Sequence, residues 1–291
     1  MAEHVTELAG FSSSSHARTR VHALIVPREH GAWGMLLVPL ATGAAVGLAA
    51  GGRASELPWL LLATLSIFWL RTPVESWLGT TPMRAQSAQE RKLVGEAIAA
   101  LIATSAVAFA GLFWRGQNLQ LLWLGLISVK AFAAQVLLKK LGRNTRTLSQ
   151  IVGAIALTAT APAAYIVVRG TLNTTAVLLW LCNWFFAVNQ IQFVQLRIHS
   201  ARMQGRWRKA FSARSFLITQ LLVVSGLGLA WRLHVLSGLA ILAFLPALMR
   251  GIYWIVSPSG PLVVRRLGWT ELAHALTFGI LLVTAFAVHA S

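Results

Sequence analysis

Nine apolar stretches of about 20 residues cross this 291-residue chain, separated by short polar links. About 20 helical residues, rising 1.5 Å each, cross a hydrocarbon core of about 30 Å. The sequence therefore predicts an all-α, polytopic bundle of about nine transmembrane helices. Charged residues make up 11% of the chain, whereas a soluble domain carries about 25%. The predicted spans cover residues 32–50, 57–77, 93–114, 119–138, 148–168, 174–196, 213–231, 234–256 and 269–288.

The 25 Lys and Arg residues are distributed unevenly over the links. Twenty of them fall on alternate links that share one side of the membrane. Four lie on the other side (Arg53, Arg115, Arg169 and Arg232), and Lys130 alone lies deep inside a span. Basic residues near span ends stay cytoplasmic. We therefore expect a membrane protein with its N-terminus inside and its C-terminus outside. The net charge of +17 follows from this topology, and no nucleic-acid partner is expected.

The first residues differ from the rest of the chain. Residues 1–25 are polar, include a run of four serines, and lack the apolar core of a signal peptide. We interpret them as a disordered cytoplasmic tail. Residues 26–291 are predicted to form a single transmembrane helical domain, since no link is long enough to separate another one.

Polar residues at membrane depth are costly and are candidate functional residues. Here they gather near the predicted cytoplasmic ends of several spans. Glu29, His30 and Glu271 are candidate catalytic acids or bases, because imidazole titrates near neutral pH and burial shifts a carboxyl group toward that range. The candidate substrate-binding residues are Arg28, Arg71, Glu75, Lys130, Lys139, Asn189, Gln192, Gln195, His199 and His274.

These residues predict a polar cavity that opens to the cytoplasmic leaflet. Asn189, Gln192, Gln195 and His199 share one face of the sixth helix, since they fall within about 120° at 100° per residue. Structural roles are alternatives. Arg71 and Glu75 are spaced as an ordinary i, i+4 ion pair, Lys130 could extend toward the headgroups, and the amides could join neighbouring helices.

The segment Val26–Gly34, which reads VPREHGAWG, resembles the opening signature of the YwiC-like family of bacterial membrane proteins. The nine-helix length is also consistent with that family. This resemblance implies a protein of the bacterial inner (cytoplasmic) membrane but assigns almost no biochemistry.

The whole layout is also similar to the UbiA-type intramembrane prenyltransferases. The stretch Leu138–Lys140, followed by Gly153 and Pro162, is similar to that family's passage from the fourth to the fifth helix. The resemblance implies Asp-rich motifs that hold magnesium and a prenyl diphosphate. This chain contains no aspartate, and its eight acidic residues are all glutamate. We therefore expect no resident metal or cofactor.

The predicted function is the handling of an anionic lipid or isoprenoid-like molecule, whose charge Lys and Arg would neutralise directly. A degenerate or metal-independent prenyltransferase-like activity is left open, as is a membrane-protein partner. One alternative is a small-molecule transporter or permease. Another is a haem- or quinone-binding membrane subunit, in which His30 and His274 would face each other.

The topology is testable by cysteine labelling. In a Cys182→Ser background, single cysteines in the 197–212 link should react with a membrane-impermeant maleimide only after the cells are opened. Cysteines beside Arg169 or Arg232 should react in intact cells. Labelling of the 197–212 link from outside would contradict the charge-based orientation.

Overall fold

The computed structural model describes residues 20, 22–27, 30–80, 83–115, 119–142, 145–200, 211, 213–257 and 262–290. Eleven helices account for most of these described residues. They are α1 His30–Ala49, α2 Leu57–Leu78, α3 Ala88–Arg115, α4 Leu119–Lys140, α5 Arg146–Thr158, α6 Thr160–Arg169, α7 Thr174–His199, α8 Arg214–Arg232, α9 Gly238–Leu242, α10 Leu245–Val256 and α11 Val264–Ala290.

The predicted all-α membrane bundle is confirmed. Among the described residues, nine helical segments are long and apolar enough to cross a membrane. They match the nine predicted spans, with α5 and α6 forming the fifth span and α9 and α10 the eighth. The segments are Gly31–Ala49, Leu57–Leu78, Ala88–Trp114, Leu119–Lys140, Arg146–Arg169, Thr174–His199, Arg214–Arg232, Gly238–Val256 and Val264–Val288.

The third span begins five residues before the predicted boundary because its N-terminus is capped. The Ser87 hydroxyl accepts a hydrogen bond from the Glu90 backbone N–H at 3.0 Å. The Glu90 carboxylate accepts one from the Ser87 N–H at 3.3 Å. This reciprocal capping box satisfies two backbone donors at the helix start, so the helix extends beyond the apolar stretch.

Two spans are divided at positions set by proline. Pro162 and Pro246 lie four residues after Thr158 and Leu242, the last residues of α5 and α9. Proline has no N–H to bond the carbonyl four residues earlier, and its ring clashes with that carbonyl. The result is a local break in the fifth and eighth spans.

The chain divides into two compact units, and the first comprises residues 1–29 and 58–115. In this unit, the Ser105 hydroxyl of α3 donates to the Ser66 hydroxyl of α2 at 3.1 Å. Residues 22–25, the end of the predicted disordered tail, are helical. Leu24 is 1% exposed, and its carbonyl accepts a hydrogen bond from Ser76. Burial of Leu24 stabilises an ordered conformation at this position. For residues 1–19, which lie outside the described part of the chain, the disordered tail stays a prediction.

The second unit comprises residues 30–57 and 116–291. Its core joins α1, α6, α7, α8, α9, α10 and α11. Phe278 of α11 stacks on Phe186 of α7 with ring centroids 4.1 Å apart, and meets the ring edge of Phe244 at 5.0 Å. These aromatic contacts fix α7 and α11 beside each other, which matters for the polar residues that both helices carry.

Helices α1 and α6 of this unit pack at very close range. A Cβ atom at Gly43 would overlap the carbonyl oxygen of Ala161, and one at Gly47 would lie 2.9 Å from the Cβ of Val168. Gly43 and Gly47 form a GxxxG pair, the spacing that lets membrane helices approach closely.

This contact predicts a localised sensitivity to substitution. Gly43→Ala should destabilise the protein by about 1–3 kcal/mol, since the added methyl has no space. Gly125→Ala on α4 is the matched control, because no atom lies within 4 Å of a Cβ there, and it should be neutral or slightly stabilising. Thermal unfolding in detergent, followed by tryptophan fluorescence, measures both. Equal melting temperatures for the two variants would contradict the close packing.

Candidate functional site

An arginine and a glutamate form a buried ion pair in the second unit. Nη1 of Arg250, on α10, donates to Oε2 of Glu271, on α11, and the two side chains are 7% and 8% exposed. Arg250 lies six residues before the end of its helix and Glu271 seven after the start of its own, which is about 10 Å of helix for each. Both charges are therefore inside the spans.

Three amide side chains extend the pair into a network. Nη2 of Arg250 donates to the Asn189 side-chain oxygen at 3.0 Å, and the Asn189 amide donates to the Gln220 oxygen at 2.8 Å. The Gln190 amide donates to the backbone carbonyl of Glu271 at 3.0 Å. We call Asn189, Gln190, Gln220, Arg250 and Glu271 the polar centre. It ties together α7, α8, α10 and α11.

Aromatic and small residues shape the walls of the polar centre. The guanidinium carbon of Arg250 lies 4.3 Å from the centroid of the Phe193 ring, within the range of a cation–π contact. A Cβ atom at Gly251 would lie 2.5 Å from the Phe216 ring. The glycine therefore allows α10 to approach α8 closely enough for Gln220 to reach the network.

Three buried atoms of the polar centre have no hydrogen-bond partner. They are Nε of Arg250, Nε2 of Gln220 and Oε1 of Glu271. Burying a polar group without a partner costs several kcal/mol in an apolar environment. The centre thus offers two donor nitrogens and one acceptor oxygen to a further polar group.

Positive charge predominates around Glu271. Arg197 and His274 also lie close enough to interact electrostatically with its carboxylate. The Arg197 guanidinium lies 5.9 Å from the Trp254 ring. Two arginines therefore face one glutamate, and the surroundings carry an excess of positive charge.

A second polar face of α7 lies away from Arg250. The Asn183 amide donates to the Thr42 hydroxyl at 3.2 Å and to the Leu179 carbonyl at 2.8 Å. Asn183, Gln190 and Thr158 line a small pocket together with Pro39. Gln190 is thus shared between this pocket and the polar centre.

The structure brings some of the predicted site residues together. Glu271 and Asn189 belong to the polar centre, and His274 lies near it, with its Nδ1 2.6 Å from the Thr270 carbonyl oxygen. Farther along α7, the Gln195 amide donates to Gln150 at 2.8 Å. The remaining α7 candidates are Gln192, which is half-buried, and His199, whose Nδ1 lies 2.7 Å from the Gln195 carbonyl oxygen.

Other predicted site residues lie outside the polar centre. Arg71 and Glu75 form an i, i+4 ion pair at 3.1 Å in the first unit. On α4, Lys130 is exposed and Lys139 is half-buried. The list is completed by Arg28, Glu29 and the side chain of His30, which fall outside the described part of the chain. Convergence of all these residues on one cavity stays a prediction.

Arg250 and Gln220 were not among the site residues predicted from the sequence. Arg250 was counted with a cytoplasmic link, although it lies inside the predicted span 234–256. An arginine within that span and Glu271 within the next one, at similar depth, was the available signal for an ion pair.

These observations define an integral, polytopic helical membrane protein with a buried polar centre. Residues 26–165 match the family model of the YwiC-like protein. This match confirms the resemblance predicted from Val26–Gly34, and residues 26–165 are similar to that family. No curated protein matches the chain. The match covers α1 to α5 and the first part of α6, so the polar centre lies outside it.

Unfolding measurements can test the energetic coupling of the ion pair. Arg250→Leu should destabilise the protein by about 3–5 kcal/mol, because it leaves a buried carboxylate unpaired. The double variant Arg250→Leu/Glu271→Leu should lose less than the sum of the two single variants.

The control is Arg20→Gln, which breaks an ion pair with Glu90 whose side chains are 42% and 14% exposed. That change should cost about 0–1 kcal/mol. Additive losses in the Arg250 and Glu271 cycle would show that the two side chains are not coupled.

Proposed function

We propose that this membrane protein binds an anionic lipid or isoprenoid-like molecule in a polar cavity reached from the cytoplasmic leaflet, without an Asp-rich magnesium site. The observation that carries the proposal is the buried polar centre, in which Arg250 and Gln220 keep free N–H donors. Donors that are shielded from water and associated with a fixed positive charge suit an oxyanion.

The charge balance of the chain supports an anionic ligand. From residue 97 onward, the sequence contains 17 Lys and Arg residues and a single acidic residue, Glu271. Glu271 already pairs with Arg250, so no other carboxylate in this part of the chain can neutralise Arg197. An anion brought by the ligand would supply the missing negative charge.

The depth of the polar centre supports a ligand that resides in the membrane. The centre lies near the ends of α7, α8, α10 and α11 that adjoin residues 200–213 and 257–263. In the topology we propose for the bacterial inner membrane, these ends face the cytoplasm and the N-terminus is cytoplasmic, with the C-terminus outside. A headgroup about 10 Å inside a span implies an attached apolar chain beside the helices.

A chemical step on such a ligand would need a group that transfers protons. Glu271 is the one predicted acid or base that the described polar centre contains. Its Oε1 has no partner and is therefore available to a hydroxyl of the ligand. We infer that binding is the basal property and that any transferase activity would depend on this carboxylate.

The proposal can be tested by comparing two ligands that carry the same apolar chain. The purified protein in dodecyl maltoside should bind farnesyl phosphate at least about tenfold more tightly than farnesol, since a hydrogen bond to a charged group contributes about 1.5–3 kcal/mol. The quenching of tryptophan fluorescence or native mass spectrometry measures both affinities.

The same titration in EDTA separates direct binding from metal-dependent binding. Affinity for farnesyl phosphate should not change, because arginine donors need no bridging cation. Equal affinities for the phosphate and the alcohol would contradict the proposal. Loss of binding in EDTA with recovery in Mg²⁺ would instead indicate a magnesium site.

A further inference from the structure

We propose that Arg250 recognises the oxyanion of the ligand and that Glu271 is an internal carboxylate which occupies Arg250 until the ligand displaces it. The proposal rests on the proposed function and assigns its recognition site. The ligand class is a phosphate ester or carboxylate attached to an apolar chain.

Arg250 is only partly engaged by its internal partner. Arginine and a carboxylate often form two parallel N–H···O bonds. Here Nη1 alone reaches Glu271, through Oε2, while Nη2 donates to Asn189. Nε of Arg250 and Oε1 of Glu271 both remain without partners. The guanidinium therefore retains a donor that an incoming oxyanion can use.

Another free donor lies beside the same helix. The Gln220 side-chain oxygen accepts from Asn189, and its Nε2 has no partner. A Cβ atom at Gly251 would lie 3.4 Å from this Nε2, which places it against the α10 backbone one residue after Arg250. In the proposed complex the oxyanion would accept from both Arg250 and Gln220.

Glu271 keeps a cationic neighbour when it leaves Arg250. The Arg197 guanidinium interacts electrostatically with its carboxylate. The carboxylate would then remain near an opposite charge after it leaves Arg250. Exchange of one anion for another on Arg250 is therefore less costly than removal of Glu271 from a lone partner.

The exchange predicts opposite effects for the two members of the pair. Glu271→Gln removes the competing charge and keeps the side-chain shape, so affinity for farnesyl phosphate should rise about tenfold. Arg250→Gln should lower it at least about tenfold, and Gln220→Leu about threefold. Farnesol affinity should change less than twofold in all three variants, since the alcohol carries no charge to exchange.

Matched variants control for charge and for folding. Glu56→Gln and Arg266→Gln remove one charge of each sign outside the polar centre and should leave the phosphate-to-alcohol affinity ratio unchanged. If Arg250→Gln does not fold, Arg250→Lys carries the test. Lysine keeps the positive charge but lacks the forked N–H geometry of the guanidinium group, so this variant should still lower the affinity for farnesyl phosphate several-fold.

The outcomes separate this inference from the proposed function. Wild-type protein that does not distinguish farnesyl phosphate from farnesol would overturn both. Wild-type protein that prefers the phosphate, while Glu271→Gln binds it no more tightly, would overturn only the displacement of Glu271. Unchanged phosphate binding in Arg250→Gln, or in Arg250→Lys where the first variant is unfolded, would overturn the recognition role of Arg250.

Discussion

The C-terminal helices of the second unit depend on the pairing of Arg250 with Glu271, which brings two opposite charges into direct contact inside membrane spans. The hydrocarbon core offers no water to solvate either group, so each side chain needs the other. Hydrogen bonds from Arg250 to Asn189 and from Asn189 to Gln220 connect the pair to α7 and α8. A buried ion pair often stabilises a fold no more than apolar residues of equal volume would. Stability alone therefore does not account for an ion pair at this depth, which agrees with the proposed role in binding.

The membrane fold could be predicted from sequence because bilayer thickness sets the length of each apolar stretch. All nine predicted spans correspond to helical segments, and the differences lie at the ends. The Ser87 and Glu90 cap extends α3 into a polar stretch that hydropathy alone does not assign to a helix. Leu24 is ordered by burial in the first unit, a tertiary effect that the polar composition of residues 1–25 does not reveal.

The polar centre could be predicted only in part. Depth and helical spacing identified Glu271 and Asn189, since both quantities follow from position along one helix. Partners depend on how each helix is rotated about its axis, and Gln220 is one polar residue in a largely apolar span. Arg250 was not recognised as a site residue, because the positive-inside rule uses the number of arginines near span ends and gives no information on which side chains point into the protein. Lys130 lies deep along its span but is exposed. A lysine at this depth can therefore lie on the outer surface of the helices.

The YwiC-like region and the polar centre occupy different parts of the chain. The family match ends at residue 165, whereas every member of the polar centre lies between residues 189 and 271. Resemblance therefore constrains the N-terminal helices and leaves the chemistry of the C-terminal helices to physical argument. In those helices one glutamate faces at least two arginines, and its free oxygen lies in the same network as two free donors. Surplus positive charge and donors without partners favour an oxyanion, and this is the physical reason to seek an anionic ligand.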